Sequence, residues 1–206
     1  MFYQPGVAGH GLAHNPFKAL IAPRPIGWIS TLDTAGHANL APFSFFNAIA
    51  DEPPMVIYSS TGTKPGREGE RKDTAANIRE TGEFVCNIVS YALRDAMNVT
   101  SAGLAAGEDE FAAAGLARAE SRVVRPPRVA AAPAALECQL WRMIDLPGPA
   151  NILVIGTVVG VHIDDSVIVD GMVDVTRYQP LARLGYRDYT AVDHVFPLDR
   201  PKPQSR

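Results

Sequence analysis

Short runs rich in β-branched and aromatic residues recur along the whole chain, each bounded by proline, glycine or aspartate, and they limit the available folds more than any other feature. The runs span 26–32, 54–60, 84–89, 134–144, 152–163 and 167–169, and each has the length and punctuation of a strand. Helical patterning between them is short. It covers 74–80, with Asp73 or Thr74 as N-cap and Gly82 as the C-terminal stop, then 91–98, opened by Ser90, and 108–114. A parallel sheet needs a crossover of about a dozen residues, usually helical, between successive strands. Many strands and few helices therefore predict a mainly β fold, an antiparallel barrel with peripheral helices. The connection from 33 to 53 reads as irregular after the turn Asp33-Thr-Ala-Gly36.

Composition sets the scale. The 206 residues, 47% hydrophobic and 20% charged, suffice for one substantial core, so 1–206 reads as a single domain with a loose tail at 200–206. A net charge of -3 with scattered arginines excludes a nucleic-acid binder. The longest apolar stretch, 152–161, is broken by Gly156 and Thr157 and falls short of a bilayer span. With no signal-like start, the expected compartment is the cytoplasm. Cys86 and Cys138 lie inside strand runs and read as free, packed thiols, and no His/Cys cluster has metal-ligand spacing. Neither a GxSxG elbow, a phosphate loop of the GxxxxGK[ST] type nor GxGxxG after a strand occurs.

Two polar clusters and one aromatic one have ligand chemistry. Ser59-Ser-Thr-Gly62 brings hydroxyls and amides to a strand end, and Lys72-Asp-Thr74 brings an ammonium to a helix N-terminus. Such donors suit an anion. The same residues equally suit a plain helix start, with Asp73 or Thr74 as cap and Lys72 in solvent. Ala41-Pro-Phe-Ser-Phe-Phe-Asn47 offers walls (Phe43, Phe45, Phe46) and polar edges (Ser44, Asn47) for a flat ring, with Pro42 freeing amides from pairing. The phenylalanines serve as well in a core.

Arg24-Pro-Ile-Gly-Trp-Ile-Ser-Thr31, Asn39-Leu-Ala-Pro-Phe-Ser-Phe-Phe-Asn47, Lys72-Asp-Thr-Ala-Ala-Asn77, Glu83-Phe-Val-Cys-Asn87, Pro133-Ala-Ala-Leu-Glu-Cys138 and Arg183-Leu-Gly-Tyr186 follow one another in this order. This succession resembles the FMN-binding split barrels of the flavin reductase-like family, flavoredoxin-like proteins included. The resemblance implies a six-stranded Greek-key barrel, bound FMN (FAD as the alternative), NAD(P)H as reductant and a homodimer with flavin sites near the subunit interface. A monooxygenase or other electron acceptor is the implied partner. It also implies that Lys72, Asp73 and Thr74 meet the flavin phosphate; Ser59 and Ser60 offer donors beside them, and Arg67 or Arg71 offers a second charge from a loop in which relatives differ. Ser30 and Thr31 then face the ribityl chain. Ala41, Pro42, Ser44 and Asn47 edge the ring, and Trp28 either stacks beside it or fills the core.

Arg183 and Tyr186 complete this set, and Tyr186 stands where relatives commonly carry glycine, so its phenol covers the ring or meets substrate. His162 reads first as a satisfied strand histidine and second as a nicotinamide- or flavin-side residue. By resemblance the expected activity is hydride transfer from nicotinamide to flavin, with no side chain acting as nucleophile. An FMN-binding electron-transfer protein reduced by a partner is the alternative, and a barrel that has lost its cofactor is the third.

Overall fold

The computed structural model describes residues 1–63, 72–103 and 108–201. Seven strands form the main sheet: β1 (Gly27–Leu32), β2 (Ala38–Phe43), β3 (Phe46–Asp51), β4 (Pro54–Ser60), β5 (Glu83–Ile88), β6 (Ala134–Asp145) and β7 (Ile152–Ile163). Their order is β2-β1-β5-β6-β7-β4-β3 and every ladder is antiparallel. The sheet curls until its two ends meet, for the Phe43 ring of β2 lies 4.6 Å from Tyr58 of β4. The expected barrel with peripheral helices is thus present, with seven strands in its sheet where six were expected.

Two of the seven, β2 and β3, come from the stretch expected to be irregular. Residues 38–43 pair with β1 in continuous register, Trp28 opposite Pro42, and residues 46–51 pair with β4. Pro42 obscured the first of these. A proline lacks the amide that a central strand needs, but β2 is an edge strand with one row of amides to spare, so the residue is tolerated without freeing donors from the sheet.

Two apolar layers lie on opposite faces of this sheet. The barrel interior packs Ile29, Phe43, Val56, Tyr58, Phe84, Cys86, Cys138 and Val154. The outer face of β1 and β2 packs Trp28 and Leu40 against Met97 and Phe111. Met97 belongs to α3 (Arg94–Val99), which follows a 3-10 turn at Tyr91–Leu93, and Phe111 to α4 (Glu110–Ala113). These two are shorter than the expected helices at 91–98 and 108–114. α4 is capped by Asp109, whose side chain accepts from the Phe111 amide. The expected strand at 167–169 is reduced to Ile168–Val169 after a 3-10 turn.

Both cysteines are buried and free, and burial together with the neighbouring Cys138 pushes the Cys86 thiol up. Among the described residues no helix is long and apolar enough to cross a membrane. The expected loose tail falls mostly at 202–206, outside the described residues.

Tyr58 carries the one apolar-core hydroxyl without a partner among the described residues, 1% exposed between Phe43 and Phe84. An unsatisfied buried hydroxyl costs about 1–3 kcal/mol. Tyr58→Phe is therefore expected to raise the unfolding free energy by about 1 kcal/mol, read as a higher urea midpoint at unchanged m-value; a loss of stability would show that the hydroxyl has found a partner.

Candidate functional site

α2 (Asp73–Thr81) is the element around which the candidate site is built. Gly82 ends it in the left-handed region at φ 73°, its amide bonding Ile78 O, as the sequence requires. Its start differs from expectation. Neither Asp73 nor Thr74 is the cap; the N-cap is Lys72, in an extended conformation, and no side chain caps the helix. The first turn is thus open to an external acceptor.

Lys72, Asp73 and Thr74 face Ala41 and Pro42 of β2 across a concave site of about 190 Å³ that Thr100, Ser101 and Glu110 close. Thr74 is buried, and its hydroxyl accepts from Asn39 Nδ2 at 2.8 Å. Its own O–H has no acceptor among the described residues. Glu110 Oε2 accepts from the Leu40 amide at 3.2 Å, and burial pushes this carboxyl up, with Asp73 and Asp109 adding to the effect. The acid side of the cleft is thereby weakened.

Its basic side is the opposite case. Burial lowers the pKa of Lys72, and the positive charge of Lys18 lowers it further. Lys18 lies in α1 (Phe17–Leu20), 5.7 Å over the Phe45 ring, and the Arg24 guanidinium sits 6.0 Å from the same ring. Neither ammonium makes an ion pair among the described residues. The two ammonium groups are close enough to repel each other, and Lys72 stands at the positive end of the helix dipole.

Ser44 and Phe45 form the corner between β2 and β3, and Phe45 O accepts from the Ser59 amide at 2.8 Å, which brings Ser59 beside the same corner. Ser60 is buried next along β4, opposite Ile152. The structure therefore gathers Ala41, Pro42, Lys72, Asp73 and Thr74 in one cleft and Ser44 and Ser59 beside the neighbouring corner. Arg67 and Arg71 lie outside the described residues.

Other expected contacts are taken up inside the protein. Trp28 is fully buried, and its Nε1–H donates to Thr100 Oγ1 at 2.8 Å, behind the wall that Thr100 gives the cleft. Ser30 donates to Pro127 O at 2.6 Å, and Thr31 accepts from Asn77 Nδ2 at 3.0 Å. Both are fully buried. Period-two counting assigns faces correctly here, but it does not show that helices and the chain near Pro127 cover those faces. Asn47 is exposed, and among the described residues its side chain bonds only the Ala48 amide. His162 bonds Glu137, the satisfied strand histidine of its first reading, and lines neither cleft.

Lys18, Asn39, Thr100 and Glu110 were not singled out from sequence. Asn39 opens a motif that was recognised, whereas Lys18 stands in a stretch without periodicity and reaches the site only because α1 packs on the Arg183-Leu-Gly-Tyr186 element. That packing needs Gly185, where a Cβ would lie 2.4 Å from Ala19 Cβ. Arg24 clamps the same junction, donating to Leu184 O at 2.7 Å and to the carbonyls of Lys18 and Ile21.

The flavin reductase like domain matches residues 20–182, most of the chain. The chain belongs to that family. An uncharacterized protein of Halalkalibacterium halodurans is 40% identical over 185 residues, 88% of this chain and 87% of that one. Among solved structures, nitrilotriacetate monooxygenase component B from Bacillus cereus is similar at 33% identity and a TM-score of 0.87, covering 96% of this chain and 98% of that one. The 2-nitrobenzoate 2-nitroreductase of Pseudomonas fluorescens is similar at 28% identity and a TM-score of 0.80, covering 92% and 91%. Membership places the chain among flavin-related oxidoreductases.

Tyr186 has φ 55°, the left-handed region that glycine occupies freely. Its ring is half exposed and tilted against His14, 5.6 Å away, and its carbonyl accepts from Arg183. The backbone thus keeps the conformation that a glycine would have, at a strain of about 1 kcal/mol. Tyr186→Gly is expected to fold with stability within about 1 kcal/mol of wild type, because relief of strain and added chain entropy oppose each other. A faster reduction of bound flavin by NADH in that variant would show that the phenol covers the ring; unchanged kinetics would remove it from the site.

Proposed function

We propose that the chain binds FMN and catalyses its reduction by NAD(P)H. The observation that carries this is Lys72 at the uncapped start of α2, under the repulsive influence of Lys18 and with no ion-pair partner among the described residues, where a phosphate dianion is accommodated by charge and by amide donors together. The group fits the donors present. At about 190 Å³ the cleft is smaller than the ~300 Å³ of a site enclosing a whole drug-sized ligand, so it suits the phosphate end, with the Ser44-Phe45 corner beside it for the remainder.

Bound FMN supplies the capacity to accept a hydride, which no side chain of this cleft has. The residues' own work is positioning. Lys72 and Lys18 hold the phosphate, Thr74 donates its free O–H, and Asn39 fixes the Thr74 rotamer from behind. Trp28 and Thr100 keep the cleft floor rigid. Likeness to the Bacillus cereus component supports a monooxygenase as the eventual acceptor of the electrons. Trp141, 58% exposed with Ile144 and Leu146 beyond it toward the end of β6, supports pairing of two copies over this surface.

An absorbance spectrum of the purified protein, before and after anaerobic NADH or NADPH, tests the reading. Yellow protein that bleaches is the expected result. Yellow protein that neither nucleotide bleaches would favour the electron-carrying alternative, and protein unable to take up added FMN would refute both.

A further inference from the structure

A second cleft, of about 590 Å³, opens between the turn of Tyr91–Leu93 with α3 on one side and the hairpin β8 (Leu181–Arg183) and β9 (Tyr189–Ala191) on the other. It falls within the range of small-molecule sites, ~300–1,000 Å³. Met97 and Leu181, both buried, contribute its apolar floor. Its walls are two tyrosines, each with an arginine laid on its ring: Arg94 is 4.3 Å from Tyr91 and Arg183 is 4.4 Å from Tyr189.

Charge in this cleft is unbalanced. Arg94, Arg183 and Arg187 line it against a single carboxylate, Asp95, which sits 3.3 Å from Arg94. Arg183 donates to the Tyr189 hydroxyl and the Tyr186 carbonyl, both neutral, and Arg187 has no partner among the described residues. Among the described residues Arg183 and Arg187 therefore have no counter-charge, and the rings of Tyr91 and Tyr189 stand in the same cleft. Guanidinium planes bind carboxylate and phosphate in bidentate fashion, and tyrosine faces and arginine planes both stack on flat rings.

We infer that this second cleft binds a planar aromatic group carrying an anionic substituent. Two sources share that chemistry. One is the nucleoside phosphate end of the dinucleotide reductant, a source that rests on the hydride-transfer reading above; the other is an aromatic acid serving as electron acceptor. Asn98 of the second cleft and Thr100 of the first both lie at the C-terminal end of α3, and Arg183 pairs in register with Arg24, the clamp behind the Phe45 corner, so the two clefts adjoin.

Calorimetric titration of the purified protein with 5′-AMP, benzoate and inorganic phosphate, in wild type, Arg187→Ala and Arg187→Lys, tests the inference. At least one of AMP and benzoate is expected to bind, more tightly than phosphate. Arg187→Ala is expected to weaken it about tenfold or more, the loss of one charge-assisted contact, and Arg187→Lys to restore part of it. AMP that also competes with NADH in flavin reduction identifies the nucleotide source; benzoate that binds and leaves NADH unaffected identifies the aromatic acid. FMN affinity, measured alongside, is expected to be equal in all three proteins, so failure to bind FMN would count against the flavin reading alone. No binding of either ring compound, binding no tighter than phosphate, or equal affinity in Arg187→Ala would each overturn the inference.

Discussion

Lys72→Ala is expected to lower FMN affinity about ten- to a hundredfold while leaving riboflavin affinity unchanged. A charge-assisted contact is worth roughly 1.5–3 kcal/mol, and tenfold in affinity corresponds to about 1.4 kcal/mol. The half-buried setting of Lys72, with solvent screening part of its charge, puts the effect toward the lower end of that range. Riboflavin lacks the phosphate and serves as the internal control, since damage to the barrel would weaken both ligands together. The apo protein adds an independent check. Lys72 is held next to Lys18 at a cost in repulsion, so its removal is expected to leave the melting temperature of the ligand-free protein unchanged or slightly higher. Lys18→Ala should show the same FMN selectivity on a smaller scale, because Lys18 is exposed and its charge more fully screened. Equal FMN affinity in wild type and Lys72→Ala would reduce Lys72 to a surface charge and return the phosphate to Ser59, Ser60 or the chain at Arg67 and Arg71.

How far this site was legible follows from what each residue does. Pattern and punctuation disclosed β4, β7 and the Gly82 end of α2, because period, length and turn chemistry are local properties. β2 and β3 were hidden, since alanines, Pro42 and a run of polar residues look irregular until an edge position excuses them. Lys72 and Thr74, singled out by the resemblance, share one cleft with Ala41 and Pro42. Trp28, Ser30 and Thr31, drawn by the same resemblance toward the ligand with the core as the other reading for Trp28, are all buried in the structure. Ser30 is closed off by Pro127, nearly a hundred positions away, and Trp28 by Thr100. Such cover depends on long connections folding back over a strand face, and nothing in the strand itself records it. Lys18 was missed for a related reason: its position depends on the close approach of α1 to Gly185.

Glu137 is the residue on which those covering connections depend, and its loss is expected to have the largest effect on stability. It is fully buried, and its carboxylate accepts from the amides of Arg122, Val123 and Val124 at 2.7, 2.6 and 2.9 Å, and bonds His162. Burial alone would raise its pKa, but the three amides and His162 outweigh burial and lower it to about 2. The unfolded value is about 4.3, so the native state binds the proton more weakly than the unfolded state does. The resulting stabilisation, of order 3 kcal/mol, is fully present above about pH 4.5 and is lost as pH falls toward 2. Glu137→Gln keeps the shape but sets an amide nitrogen against backbone donors. It is expected to cost about 2–4 kcal/mol at pH 7, and to flatten the fall of stability with acid, because the titrating group is gone. Urea unfolding of both proteins at several pH values between 7 and 3 measures the two effects together, and parallel curves would show that Glu137 does not carry the acid sensitivity. Val124 packs on Val85 and Ala135, and the segment continues to Pro127 over Ser30, so loosening it uncovers the outer face of β1. A selective gain in amide exchange at Ser30 and Thr31 in Glu137→Gln, with Cys86 in the barrel interior still protected, is the expected local signature of that opening.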